Sequence, residues 1–173
     1  MATDEQIFEA LAQVPTETWE GEVFRHMFAS FPPEKENTSG ARWNPPETPA
    51  IYTSLTRETA LAEAEYQISA QPRPPKAKRT LYKIAIHLSS VLDIFGEQVL
   101  RSLSVKATDL TDIDFRVCQV IGGAVERLGH DGLLVPSARA RGQNLVIFPN
   151  RQKQGSYRFE VIGQEVIDPG ESW

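Results

Sequence analysis

The stretch from Ser39 to Glu65, SGARWNPPETPAIYTSLTRETALAEAE, constrains the fold more than any other part of the chain. Gly40 opens it, an Arg42-Trp43-Asn44 triplet follows, and the Pro45-Pro46 pair stiffens the turn. A short β-prone run, Ala50 to Ser54, comes next. Thr56 then stands where its hydroxyl can accept from an orphan backbone N–H of a following helix, which is predicted to run to about Gln71. A rigid turn, a buried strand and a capped helix bearing carboxylates can gather a cation, an aromatic ring and an acid around one cleft.

The bulk numbers bound the class. A chain of 173 residues with 40% hydrophobic and 24% charged residues predicts one globular domain with a substantial core. A net charge of -5 argues against a general nucleic-acid binder. No apolar run approaches the roughly 20 residues of a membrane span. The N-terminal MATDEQIFEA lacks the basic region of a secretory signal, and Cys118 stands alone, so a cytoplasmic, reducing compartment is expected.

Periodicity places the elements. Residues 3–14 predict an amphipathic helix with Thr3 and Gln6 as a capping box, and Glu22 to Phe28 predicts a strand with Val23 and Arg25 on one face. Residues 29–49, with five prolines, read as a long loop. On the helix after Thr56, Ala60, Leu61, Ala64 and Ile68 form the apolar stripe. Glu63 and Glu65 flank it on opposite shoulders, and the wheel does not choose between them. The segment QPRPPKAKR, residues 71–79, reads as a basic surface loop. Thr80 to Leu88 is the clearest strand, with Tyr82, Ile84, Ile86 and Leu88 on one face. A short helix near Glu97 to Leu103 and a longer one from Phe115 to Leu128, stopped by Gly129, come next; Gly122-Gly123 in the latter invites close packing. Strands at Gly132–Val135 and Asn144–Phe148 flank the loop Pro136–Gly142, and a last strand spans Tyr157 to Ile162, extended over Glu165 to Ile167. Without strict βαβ alternation, the expectation is an α+β domain with a mixed, mainly antiparallel sheet and flanking helices.

Most chemistries can be set aside. His26, His87, His130 and Cys118 have no metal-ligand spacing, so no metal site is expected. Ser137 lacks the GxSxG context of a hydrolase nucleophile, and neither GxxxxGK[ST] nor GxGxxG occurs. Arg25, mid-strand among apolar neighbours, is either half of a structural ion pair or a rigidly held anion-binding cation. Tyr52 is either core or the wall of a pocket for a flat heterocycle.

The ordered set Phe24-Arg25, Gly40-Ala41-Arg42-Trp43-Asn44-Pro45-Pro46, Ile51-Tyr52-Thr53-Ser54, Ala60-Leu61-Ala62-Glu63 and Pro136-Ser137 resembles the RES-domain family, toxins of bacterial toxin–antitoxin pairs. The resemblance covers about Phe24 to Phe148. It implies a fold like that of the diphtheria-toxin-type ADP-ribosyltransferases and a single domain with a lead-in (1–21), a catalytic core (22–167) and a tail (168–173). It also implies NAD+ consumption by phosphorolysis or hydrolysis, with NAD+ as substrate, inorganic phosphate as co-substrate and no prosthetic group. Arg25, Glu63 and Ser137 stand at the positions of the arginine, glutamate and serine that name the family. Arg42, Asn44, Tyr52 and Arg139 are the further pocket residues. Ala41 and Glu47 depart from the family pattern, where glycine is common at both positions.

These roles suit cleavage of the nicotinamide–ribose bond, which passes through an oxocarbenium-like cation. Glu63 would hold ribose hydroxyls and stabilise the developing charge, Arg25 and Arg42 would clamp the pyrophosphate, and Tyr52 would stack on nicotinamide. Ser137, with Arg139 and Arg141, would position the acceptor. A protein mono-ADP-ribosyltransferase and a non-catalytic nucleotide-binding module are the alternative readings. The resemblance further implies a helix-turn-helix antitoxin as partner; a homodimer is compatible with it.

Overall fold

Two long antiparallel strands carry the architecture, β1 (Glu17–Phe28) and β3 (Arg79–Asp93), paired from Glu17 opposite Val91 to Phe28 opposite Arg79. The computed structural model describes residues 2–28, 31–70, 78–149 and 157–167. Around the long pair lie β2 (Ile51–Ser54), β4 (Gly132–Pro136), β5 (Gln143–Ile147) and β6 (Arg158–Ile167). The strand order is β1-β2-β5-β4-β3-β6, and the added β1–β3 pairing closes the first five into a small barrel. Among the described residues only β3–β4 is parallel. The expected mixed, mainly antiparallel α+β domain is what forms.

The barrel is filled by alternate residues of its strands: Val23, Ile51, Ile84, Ile86, Leu88, Val91, Leu145 and Ile147. Its outer surface is covered by helices on two sides. Helix α1 (Asp4–Ala12) carries the predicted capping box, Thr3 Oγ1 accepting from Gln6 N and Gln6 from Thr3 N. Together with α3 (Glu97–Leu103), a 3-10 turn (Ala107–Leu110) and α4 (Arg116–Arg127), it builds a second core around Trp43, Leu92, Ile121, Val125 and Phe148. Helix α2 (Arg57–Ser69), capped by Thr56, lays Ala60 and Leu61 on Leu81, Ile167 and Phe24 outside the barrel. None of the helices among the described residues is long and apolar enough to cross a membrane.

Three expectations are corrected. Strand β1 begins at Glu17, five residues before the predicted start, because its polar side chains face solvent while its backbone pairs with β3. Strand β3 continues past Leu88 through Ser89-Ser90: Asp131 accepts from Ser89 N (3.1 Å), Ser89 Oγ (3.0 Å) and Ser90 N (3.2 Å), so these polar residues are satisfied within the sheet. Arg79 does not belong to a surface loop. It opens β3 and is 3% exposed. The rest of that loop, 71–77, and the tail, 168–173, lie outside the described residues.

The segment after β1 has the irregular course expected of it over 31–49, and it is knitted from within. Asn44, fully buried, donates through Nδ2 to Thr48 O (2.8 Å) and Asn37 O (3.3 Å), while Gly40 N donates to Asn37 Oδ1 (3.0 Å). The loop docks on α4 at Gly122, where a Cβ would lie 1.7 Å from the Trp43 carbonyl oxygen. That explains Gly122. Glu47 holds φ at +74°, a left-handed conformation that costs a residue with a side chain and suits glycine.

Gly122→Ala is therefore expected to destabilise by about 2–3 kcal/mol in urea unfolding, since backbone must give way. Gly123→Ala, where the nearest atom is Pro45 Cγ at 3.4 Å, should instead be neutral or stabilising by up to about 1 kcal/mol. Glu47→Gly should raise the melting temperature by relieving the positive φ, a gain of up to about 1 kcal/mol; an unchanged or lower value would show no strain there.

Candidate active site

Strands β1 and β2 meet at one register pair, Phe24 opposite Ser54, and then part. Beyond that point β1 keeps β3 on one edge and, among the described residues, has no ladder on the other. The opening is a cleft of about 350 Å³. Successive strand residues point to opposite faces, yet Arg25, His26 and Met27 all line this cleft, because it lies at an edge rather than over a face.

The structure chooses Glu63 over Glu65: Glu63 is half-buried at the cleft, and Glu65 is exposed to solvent. Ser137 Oγ donates to Glu63 Oε1 at 2.6 Å, and Asn144 Nδ2 donates to the same oxygen at 3.0 Å. Asn144 is aimed by Ser54, whose Oγ donates to Asn144 Oδ1 at 2.8 Å. Ser137 Oγ accepts from Arg139 N (3.1 Å) and Ala140 N (3.2 Å). Its single proton is thus committed to Glu63, and Ser137 orients the carboxylate rather than standing open to an acceptor. Among the described residues, Glu63 Oε2 has no hydrogen-bond partner, and it is the oxygen left for a ligand.

Arg25, 8% exposed, donates from Nη1 to Tyr52 O (2.8 Å) and from Nη2 to Lys35 O (2.5 Å). Its Nε is buried without a partner, and among the described residues no carboxylate forms an ion pair with it. Burial lowers its pKa to about 10, with the charge of Glu34 opposing. The group is still a cation at neutral pH, and an unneutralised buried cation favours an anionic ligand. The ion-pair reading of Arg25 gives way to a bridge between strands.

Tyr52 lines the cleft with its ring while its hydroxyl is spoken for. It donates to Asn44 Oδ1 at 2.5 Å and accepts from Trp43 N at 2.9 Å. Burial raises its pKa, so the phenol stays neutral and its role is that of a wall. Asn44 does not line the cleft; it acts through Tyr52. Arg42 lies over the Phe115 ring at 4.4 Å and donates from Nη1 to Asp112 O (2.5 Å), with a longer contact to Leu110 O (3.4 Å), so one arm anchors the loop while the residue still lines the cleft. Arg139 lines the opposite side, its guanidinium stacked 3.2 Å from the Tyr66 ring centroid. Arg141 is exposed and is not among the lining residues.

Sequence reasoning missed Asn144, Ser54, His26 and Arg79. Ser54 and Asn144 are register partners on β2 and β5, a polar cross-strand pair at the ends of two strands, and that pairing was the available signal. His26 accepts through Nδ1 from Arg79 Nη1 at 2.6 Å. Burial first, and then the charges of Arg79 and Arg25, hold its pKa down to about 3.

The profile of the RES domain matches residues 14–166. The chain belongs to the RES domain family. Within it, the chain is 26% identical over 162 residues to the NAD(+) phosphorylase MbcT of Mycobacterium tuberculosis, and likewise to that of Mycobacterium bovis. These matches cover 89% of this chain and 87% of the relative. The fold superposes on a chain of the crystal structure of the M. tuberculosis MbcT–MbcA toxin–antitoxin complex with a TM-score of 0.81. That alignment has 25% identity and covers 98% of this chain and 96% of the other.

Because His26 has its pKa lowered from 6.5 to about 3, the folded protein binds fewer protons there than the unfolded chain within that window. Stability at this residue therefore rises with pH from about 3 to 6.5 and is lost on acidification through that range. Urea midpoints measured from pH 7 down to 4 are expected to fall less steeply in His26→Gln than in wild type. Parallel slopes would show that His26 does not contribute.

Proposed function

We propose that the chain cleaves the nicotinamide–ribose bond of NAD+ and passes the ADP-ribosyl group to inorganic phosphate, as the toxin of a toxin–antitoxin pair. The observation that carries this reading is Glu63: Ser137 and Asn144 both bond Oε1, which leaves Oε2 for a ligand in a cleft that the buried Arg25 also lines. In the reaction the C1′–N bond breaks and its electron pair leaves with nicotinamide, which becomes neutral and needs no strong acid. Positive charge grows on the ribose, and a phosphate oxygen forms the new C1′–O bond; any proton on that oxygen is released to solvent. Glu63 Oε2 accepts from a ribose hydroxyl and stabilises the cation as it forms, an interaction stronger in the transition state than in the ground state.

Arg25 supplies the fixed positive charge for the pyrophosphate, Arg42 and Arg139 add further positive charge, and the Tyr52 ring gives the cationic nicotinamide an aromatic face. In this reading the barrel with its edge cleft is an ADP-ribosyltransferase-like fold of the diphtheria-toxin type. The partner is an antitoxin, of the helix-turn-helix kind, that covers the cleft in the cytoplasm. The chain's similarity to MbcT, and its fold likeness to a chain of the MbcT–MbcA complex, support that reading.

Nicotinamide release from NAD+ by purified protein, with and without phosphate, tests it. Release is expected to require phosphate. It should fall about 100- to 1,000-fold in Glu63→Gln, the loss typical of one removed transition-state contact. Ser137→Ala and Asn144→Ala should each cost about tenfold or more, since each removes a hydrogen bond to a charged group. Equal release without phosphate would make the enzyme a hydrolase, and label from NAD+ on a protein band would make it a transferase. Wild-type turnover by Glu63→Gln would sink the mechanism.

A further inference from the structure

Behind His26, which lines the cleft, lies a second buried arginine that the proposed reaction does not use. Arg79 lies across the β1–β3 ladder from Phe28, with its guanidinium 4.1 Å from the Phe28 ring centroid. It is 3% exposed, its Nε has no partner, and among the described residues no carboxylate forms an ion pair with it. A charge in such a place is costly, and an apolar side chain would fill the space more cheaply. The one hydrogen bond of its side chain among the described residues is the 2.6 Å contact to His26 Nδ1.

A guanidinium can only donate, so Nδ1 of His26 must accept and carry no proton. The neutral ring then has its proton on Nε2. With Nδ1 turned into the wall, the Nε2 edge is the one left for the cleft that His26 lines. Among the described residues Nε2 has no hydrogen-bond partner. A neutral donor between two guanidinium charges, Arg25 and Arg79, is suited to an anionic oxygen and unsuited to a cation.

We infer that Arg79 is a positioning residue that locks His26 as a fixed Nε2–H donor to a phosphate oxygen of the bound ligand. The inference deepens the NAD+ reading and rests on it for the ligand's chemistry, while its geometry stands on the Arg79–His26 contact alone. The phosphate oxygen belongs either to a nucleotide pyrophosphate or to inorganic phosphate, and ADP and inorganic phosphate used separately distinguish the two.

The test is nitrogen NMR of the full chain labelled at histidine, with His26 assigned by the signals missing in His26→Gln. Wild type is expected to show unprotonated Nδ1 and protonated Nε2 without exchange averaging. One of the two probes should shift Nε2 more than Nδ1 and thereby name the source of the oxygen. In Arg79→Leu the His26 signals should move to the tautomer average, and KM for NAD+ should rise about tenfold or more with kcat within about threefold. His26→Gln, which keeps an amide N–H near the Nε2 position, should stay within a few-fold of wild type, whereas His26→Phe should match Arg79→Leu. Should Arg79→Leu fail to fold, His26→Phe set against His26→Gln carries the same comparison, the first losing the Nε2–H donor and the second keeping one. A protonated Nδ1, an Nε2 that neither probe moves, or a His26→Phe variant with wild-type KM would each overturn the inference. Because the NMR arms need no turnover, an inactive protein with a responsive Nε2 would sink the NAD+ reaction alone, and an active one with a silent Nε2 would sink only this proposal.

Discussion

The parting of β1 and β2 after one paired residue is the constraint on which the rest depends. A small barrel closed on all sides is packed with its own side chains and has no room for a ligand. Here five strands close, the interior fills with aliphatic residues, and the one relaxed seam becomes the cleft. Relaxing a seam exposes backbone that the ladder would have satisfied. Arg25 takes over part of that work by reaching from β1 to the Tyr52 carbonyl of β2 and the Lys35 carbonyl of the loop. One side chain therefore bridges the opening and supplies its charge, so holding the strands apart and attracting an anion are the same arrangement.

The loop that roofs the seam is held by polar groups rather than by secondary structure. Asn44 binds the loop's own backbone with one end and the Tyr52 hydroxyl with the other, and the Trp43 amide completes the phenol's partners. Trp43 is buried against α4, and the missing side chain at Gly122 lets the two backbones meet. Arg42 ties the same loop to the turn before α4. The Arg42-Trp43-Asn44 triplet thus divides its labour: a cation at the rim, an anchor in the core and an internal brace.

Much of this was legible in the sequence where local physics decides. The capping box at Thr3 and Gln6, the Thr56 cap, the alternation from Tyr82 to Leu88 and the close packing at Gly122 are short-range signals, and the structure has them all. What was not legible depends on partners distant in sequence. The start of β1 at Glu17 is set by β3, and the continuation of β3 through Ser89-Ser90 is set by Asp131. Arg79 sits among basic, proline-rich neighbours that look like a surface loop, and only the ladder shows it as a buried strand residue. On the helical wheel Glu63 and Glu65 are equivalent shoulders; packing of α2 against β1 and β3 turns one to the cleft and the other to water. Ser137 was visible as a residue of interest, but its bond to Glu63 spans 74 positions of sequence and no local pattern reports it.

Gly142 closes the loop that carries Ser137, and a Cβ there would stand 2.2 Å from Thr59 Oγ1 in the first turn of α2. That contact presses the loop onto the very helix that bears Glu63, with Ser137 N donating to Gly142 O across its base. The carboxylate and the two groups that grip it are therefore assembled by the folding reaction itself, whose core contacts already cover the entropy of fixing them. A ligand arriving at this cleft finds its carboxylate neighbour already in place, and none of the free energy of its binding is spent on ordering that group.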